Sequence, residues 1–106
     1  MIVIIESPYS GNVKRNMLYL CACIKDCLDR DESPYASHAI LTLALDDNDP
    51  QEREQGIQAG YAFHSVADKM VVYTDYKISS GMRRAIEHAA AIGLPIEYRT
   101  ILGDKE

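Results

Sequence analysis

Val71-Val-Tyr-Thr-Asp-Tyr-Lys-Ile-Ser-Ser-Gly-Met-Arg-Arg-Ala85 runs from a β-branched and aromatic segment through a polar turn into an amphipathic one. Residues 70–74 favour a pleated, buried strand. Asp75 then falls where the strand's carboxyl end meets solvent, as a candidate general base or ribose-binding group, with capping of the 75–78 turn as the alternative. Ser79, Ser80 and Gly81 open the following helix, whose early residues include Met82. A helix start of this kind combines unpaired N–H groups with the positive end of the macrodipole, and so suits an anion. In open parallel sheets, ligands bind at the carboxyl edge.

Reading outward, Met1–Glu6 is a continuous apolar run that suits a central strand of a parallel sheet. The turn Ser7-Pro-Tyr-Ser-Gly-Asn12 leads from it directly into a helix, which puts it on the same edge as the 75–81 loop. Ser7 and Ser10 bring hydroxyls, Tyr9 a flat amphipathic ring, and Gly11 room for close backbone approach; Pro8 shapes the turn. The loop matches neither a P-loop nor GxGxxG. Residues 12–30 read as a helix with Val13, Met17, Leu20, Ile24 and Leu28 on one stripe. Asp29–Pro34 ends it and reads as solvated. A short second strand is expected at Tyr35–Ser37, bringing His38 to the carboxyl edge as a ligand-binding or structural histidine.

Leu45-Asp-Asp-Asn-Asp-Pro-Gln-Glu-Arg53 lacks the glycine and terminal glutamate of a calcium loop. Helix-start chemistry fits better, with Asp49 as N-cap, Pro50 in the first turn and Glu52 closing a capping box. Asp46 and Asp47 then remain free to face a pocket, and Arg53 can pair with them or with an anion. Gly56 and Gly60 share a helix face and imply a close approach, because glycine there otherwise costs about 1 kcal/mol. The last helix, Gly81–Ile92, is expected to bury Met82, Ala85, Ile86 and Ala89 and to stop at Gly93. Leu94–Tyr98 forms a fourth strand, at an edge because of Pro95. The tail from Gly103 is polar and reads as loose.

This alternation predicts an α/β fold: a small Rossmann-like or flavodoxin-like three-layer sandwich of four parallel strands, ordered 2-1-3-4, with helices on both faces. With 106 residues, one nucleotide-binding-type domain over residues 1–102 is expected. The net charge of −5 argues against a nucleic-acid polymer as partner. Ile2–Ile5 is too short to cross a bilayer and no leader pattern precedes it, so a cytoplasmic protein without membrane contact is expected. Cys21, Cys23 and Cys27 lack a second ligand pair at zinc-finger spacing and read as reduced, partly buried thiols. Neither a metal nor a cofactor is implied.

Several of these features together resemble the nucleoside 2-deoxyribosyltransferase-like superfamily. They are the strand ending in Ser7-Pro8-Tyr9, Ala67-Asp68 before the third strand, and Ser80-Gly81-Met82 opening a helix that closes with Gly93-Leu-Pro. The set Ser37-His38, Leu45-Asp46-Asp47, Asp49-Pro50 with Arg53, and Glu97-Tyr98-Arg99 is most similar to its small phage-associated branch. The resemblance implies a dimeric α/β protein that binds nucleosides or nucleotides at the carboxyl edge of its sheet. It implies phosphate at Ser79, Ser80 and Gly81, and further ligand contacts at Ser7, Tyr9 and Ser10. It also implies N-glycosidic bond cleavage or exchange through a glutamate, but that glutamate aligns with Ala85, and a second acidic group falls near Gly60. Glu87 projects away from the Met82–Ile86–Ala89 stripe and does not replace it.

Two functions compete on this reading. In the first, the chain binds a nucleotide-like or ADP-ribose-like molecule without turnover and serves in a phage setting to sequester a nucleotide immune signal. In the second, it is an N-glycosidase or transferase whose acid is Asp75, Glu6, Asp46 or Asp47. A blander third reading is an adaptor that docks on a host protein. The resemblance and the chain's small core imply a homodimer or higher homo-oligomer.

Overall fold

The computed structural model describes residues 1–102; the expected loose tail, Gly103 onward, lies outside them. Four strands, β1 (Ile2–Glu6), β2 (Ser33–Tyr35), β3 (Lys69–Tyr73) and β4 (Ile96–Arg99), form one parallel sheet in the order β2-β1-β3-β4. Val3 pairs with Lys69, Met70 with Ile96 and Ile2 with Ser33. This is the expected topology. β2 begins two residues earlier than its sequence suggests, with Pro34 inside it, which an edge strand tolerates because one side of its backbone needs no ladder bond. Ser37 instead opens a single helical turn, α2 (Ser37–Ile40), which continues into a 3₁₀ turn at Leu41–Leu43.

Period-two alternation along the strands builds two cores. Val3, Ile5, Val71 and Tyr73 pack against α1 (Val13–Asp29), with Tyr19, Leu20, Cys23 and Cys27. Ile4, Met70 and Val72 pack on the opposite face against α4 (Ser80–Ala91), with Met82, Ala85 and Ala89. α3 (Pro50–His64) packs beside α4.

The buried stripe of α1 is rotated from the expected one. Asn16, Tyr19, Leu20, Cys23 and Cys27 are buried, whereas Val13 and Leu28 are exposed. Two polar anchors turn the helix: the Tyr19 hydroxyl donates to Asp75 Oδ1 at 2.5 Å, and Cys27 Sγ meets the Tyr73 hydroxyl at 3.2 Å. Cys23 and Cys27 are buried free thiols, and Cys21 is exposed.

The segment after α1 is also less solvated than its charges suggest. Glu32 is 9% exposed and accepts both Arg99 Nη1 (2.8 Å) and Nη2 (2.6 Å). Lys69 Nζ lies 3.0 Å from Glu32 and 2.7 Å from Glu97, so the group ties α1 and β2 to β3 and β4. Two charge-assisted bonds from the guanidinium hold Glu32 down at about 2, against the opposing effect of burial.

At α3, Asp49 caps as expected by accepting Gln51 N–H, and Pro50 occupies the first turn. Glu52 does not close a capping box on Asp49; its carboxylate accepts the Asp46 N–H at 2.6 Å and so folds the 46–49 loop against the helix. Gly93, at φ +78°, ends the segment after α4, a conformation that favours glycine. No helix among the described residues is long and apolar enough to cross a membrane.

Candidate functional site

A cavity of about 110 Å³ opens at the carboxyl edge, between the loop after β1, α2, α3 and the start of α4. One water needs roughly 10–15 Å³ of such space, so several waters or one sugar-sized ring fit. Alternation along β1 explains its floor. The parity that places Ile4 in the α4-side core places Glu6 on the same face, one step further and at the edge. Glu6 is 7% exposed, and desolvation pushes its carboxyl up to about 8.

The loop after β1 supplies Ser7, Tyr9 and Ser10 to the wall. Buried Asn16 positions it, donating from Nδ2 to the carbonyls of Tyr9 (2.9 Å) and Ser10 (3.0 Å). Ser7 Oγ lies 2.9 Å from His38 Nε2, and burial lowers His38 to about 4, so the ring is neutral near pH 7. The buried Nδ1 of His38 has no hydrogen-bond partner among the described residues.

α3 forms the opposite wall with Arg53, Gly56, Ile57, Gly60, Tyr61 and His64, all on one helical face. The glycines let that face close: a Cβ on Gly60 would stand 2.8 Å from Ser37 Oγ, and one on Gly56 would stand 3.2 Å from Leu45 Cδ1. Arg53 lies at the mouth, with Nε 3.9 Å from Asp47 and Nη2 3.5 Å from Ser80 Oγ. Beside it, Ser79 Oγ accepts the Met82 N–H, which leaves the Ser80 and Gly81 N–H groups at the positive end of α4.

Most of the residues singled out from sequence meet here: Ser7, Tyr9, Ser10, His38, Asp47, Arg53, Gly81 and Met82 all line the cavity. Ser79 and Ser80 flank it as the cap and first turn of α4. Pro8 is buried outside the lining. Asp46 faces a neighbouring hollow shared with Tyr9, Ser10 and Asp47. Asp75 is elsewhere altogether: its carboxylate accepts the Tyr19 hydroxyl and the N–H groups of Ile101 and Leu102. Burial alone would raise its pKa, but these bonds outweigh burial and lower it. The side chain of Asp75 is thus a clamp on the segment after β4, and its donors leave it turned from the cavity.

Ala85 lines the cavity too, so its two acids, Glu6 and Asp47, come from a strand end and a loop and not from α4. Tyr61 and His64 escaped the sequence reading, although their i, i+3/i+4 spacing from Arg53 through the two glycines marks that face. Among the described residues, no group of three or more His, Cys, Asp or Glu side chains is arranged to hold a metal ion.

A 2-deoxyribosyltransferase from the psychrotolerant bacterium Bacillus psychrosaccharolyticus has a similar structure, with a TM-score of 0.75 over 100% of this chain and 77% of that one. The two sequences are 10% identical, so the likeness is one of fold. No curated protein matches the sequence. The model of the family described as Domain of unknown function (DUF7768) matches residues 1–99, and the chain belongs to that family.

Proposed function

We propose that this chain binds a nucleotide-like or ADP-ribose-like small molecule in the carboxyl-edge cavity and holds it without glycosyl transfer. One observation carries the reading: Arg53 and the free start of α4 meet at the mouth of a cavity whose wall at Ala85 is a methyl group. Guanidinium and helix start suit a phosphate. Tyr9 and Tyr61 offer aromatic faces to a base or sugar. An alanine forms no glycosyl-enzyme bond, and loss of a covalent carboxylate costs many orders of magnitude in rate. Residues 1–102 act on this reading as one cytoplasmic nucleotide-binding domain, a homodimer or higher oligomer of the phage-associated type, which sequesters a nucleotide immune signal.

The test is mass spectrometry of what the protein releases on heating, after incubation with nucleotides and ADP-ribose derivatives. Intact ligand at near one per cavity is the expected result. Free base with a sugar phosphate would overturn it in favour of an N-glycosidase or 2-deoxyribosyltransferase-type enzyme. The position of Glu6 is what favours that second reading, since Glu6 and Asp47 are the carboxyl side chains lining the cavity.

A further inference from the structure

Glu6 differs from the other buried acid of the described chain. Glu32 is answered by Arg99 and Lys69. No hydrogen bond or ion pair of the Glu6 carboxyl with any described residue accompanies its 7% exposure, and desolvation alone acts on it. No cation among the described residues pairs with it: Arg53, at the mouth, lies against Asp47 and Ser80 and makes no ion pair with Glu6. His38 and His64, from α2 and α3, are neutral near pH 7 because burial lowers both to about 4. Tyr9 and Tyr61 complete the ring of titratable neighbours, and α4 contributes only Gly81, Met82 and Ala85. A buried carboxyl without a counter-charge keeps its proton, and a protonated carboxyl is a hydrogen-bond donor.

Resting on the nucleotide reading above, we propose that Glu6 meets the ligand as a neutral carboxylic acid that donates a hydrogen bond. The cavity then selects molecules with two unlike ends: an anionic phosphate for Arg53 and the α4 start, and an uncharged oxygen or ring-nitrogen acceptor for Glu6. Nucleoside monophosphates have both. A second carboxylate or phosphate at the Glu6 end is disfavoured, because its charge would be desolvated there with no cation to answer it.

The experiment has two readouts on the intact chain. The first is the ¹³C NMR titration of the Glu6 carboxyl without ligand, which is expected to show a midpoint near 8. The second is calorimetry with a panel of nucleoside 5′-monophosphates between pH 7 and 9, a range in which the phosphate, with its second pKa of about 6, is already dianionic. Affinity is expected to fall about tenfold across that range, as the donor proton is lost. Glu6→Gln, whose amide donates at every pH, is expected to bind more tightly than the native chain at pH 9 and without pH dependence. Any pH dependence that persisted in that variant would overturn the assignment, as would a Glu6 midpoint below 6. A panel that binds at no pH while Glu6 still titrates near 8 would overturn the nucleotide reading, and with it the ligand class named here.

Discussion

His64 Nδ1 and His88 Nδ1 lie 2.8 Å apart between α3 and α4, and Tyr61 stacks on the His88 ring with centroids 4.1 Å apart and planes 3° from parallel. Two ring nitrogens at that distance share one proton, so one of them must present a lone pair. Burial, followed by the charge of His88, lowers His64 to about 4; burial lowers His38 to about 4 as well. Both take up protons near pH 6.5 in the unfolded chain. Between 6.5 and 4 the unfolded state therefore binds more protons, and stability falls as pH falls.

Glu6 acts in the opposite sense. Its folded pKa of about 8 lies above the unfolded value, so the folded state binds the extra proton between about 4.5 and 8, and stability falls as pH rises through that range. Each group contributes at most about 1.4 kcal/mol per pH unit. Two histidines outweigh one glutamate below 6.5, and the glutamate acts alone above it. The urea midpoint is expected to peak near pH 6.5. His64→Gln should flatten the acid limb and Glu6→Gln the alkaline limb. A profile that changes in one direction only from pH 5 to 8 would contradict this balance.

Gly60→Ala sets helix propensity against packing. Alanine gains about 1 kcal/mol in a helix interior, but its Cβ would stand 2.8 Å from Ser37 Oγ. Overpacking of that kind costs about 1–3 kcal/mol. The variant is expected to be less stable than the native chain in urea titration, and Ser37→Ala in the same background should recover most of the loss. A gain in stability from Gly60→Ala alone would show that the contact relaxes freely.

Removal of Glu32 leaves Arg99, 5% exposed in its side chain, with its bidentate partner gone. Breaking a buried pair by deleting one member costs about 3–5 kcal/mol. Glu32→Ala should lower the unfolding free energy, read by urea titration, by an amount of that order, while the exposed pair of Lys25 and Asp29 should contribute under about 0.5 kcal/mol. Equal effects from the two pairs would refute the ranking.

Arg53→Ala tests the anion end of the cavity. Hydrogen bonds to charged groups contribute about 1.5–3 kcal/mol, so affinity for a nucleoside monophosphate is expected to fall roughly 10- to 100-fold. The unphosphorylated nucleoside should lose little. An equal loss for both ligands in calorimetry would move the phosphate away from Arg53.

The strand order and the loops that line the carboxyl-edge cavity were legible because they follow from local alternation and from where turn residues sit between elements. Residues 70–73 and 2–5 are apolar in runs that only a sheet covered on both faces can bury, and the loops that follow them necessarily share one edge. The capping of α3 by Asp49 and of α4 by Ser79 is likewise local chemistry, written in a few consecutive residues. The roles of charged side chains were not local. Glu32 sits in a hydrophilic run, yet its partner Arg99 is 67 residues away. Asp75 reads as a site residue at a strand end, but long-range bonds to Tyr19, Ile101 and Leu102 turn it into a clamp.

By itself, then, the sequence determined the α/β class, the edge at which the cavity opens, and the absence of a carboxylate at position 85, since each depends on residue type and short-range pattern. Tertiary structure alone decided that Glu6 enters the cavity beside Asp47 and that Asp75 does not. Strand parity and the closure of α3 over its glycines bring Glu6 in, while hydrogen bonds from a distant segment draw Asp75 out, and burial without a partner keeps the proton on Glu6.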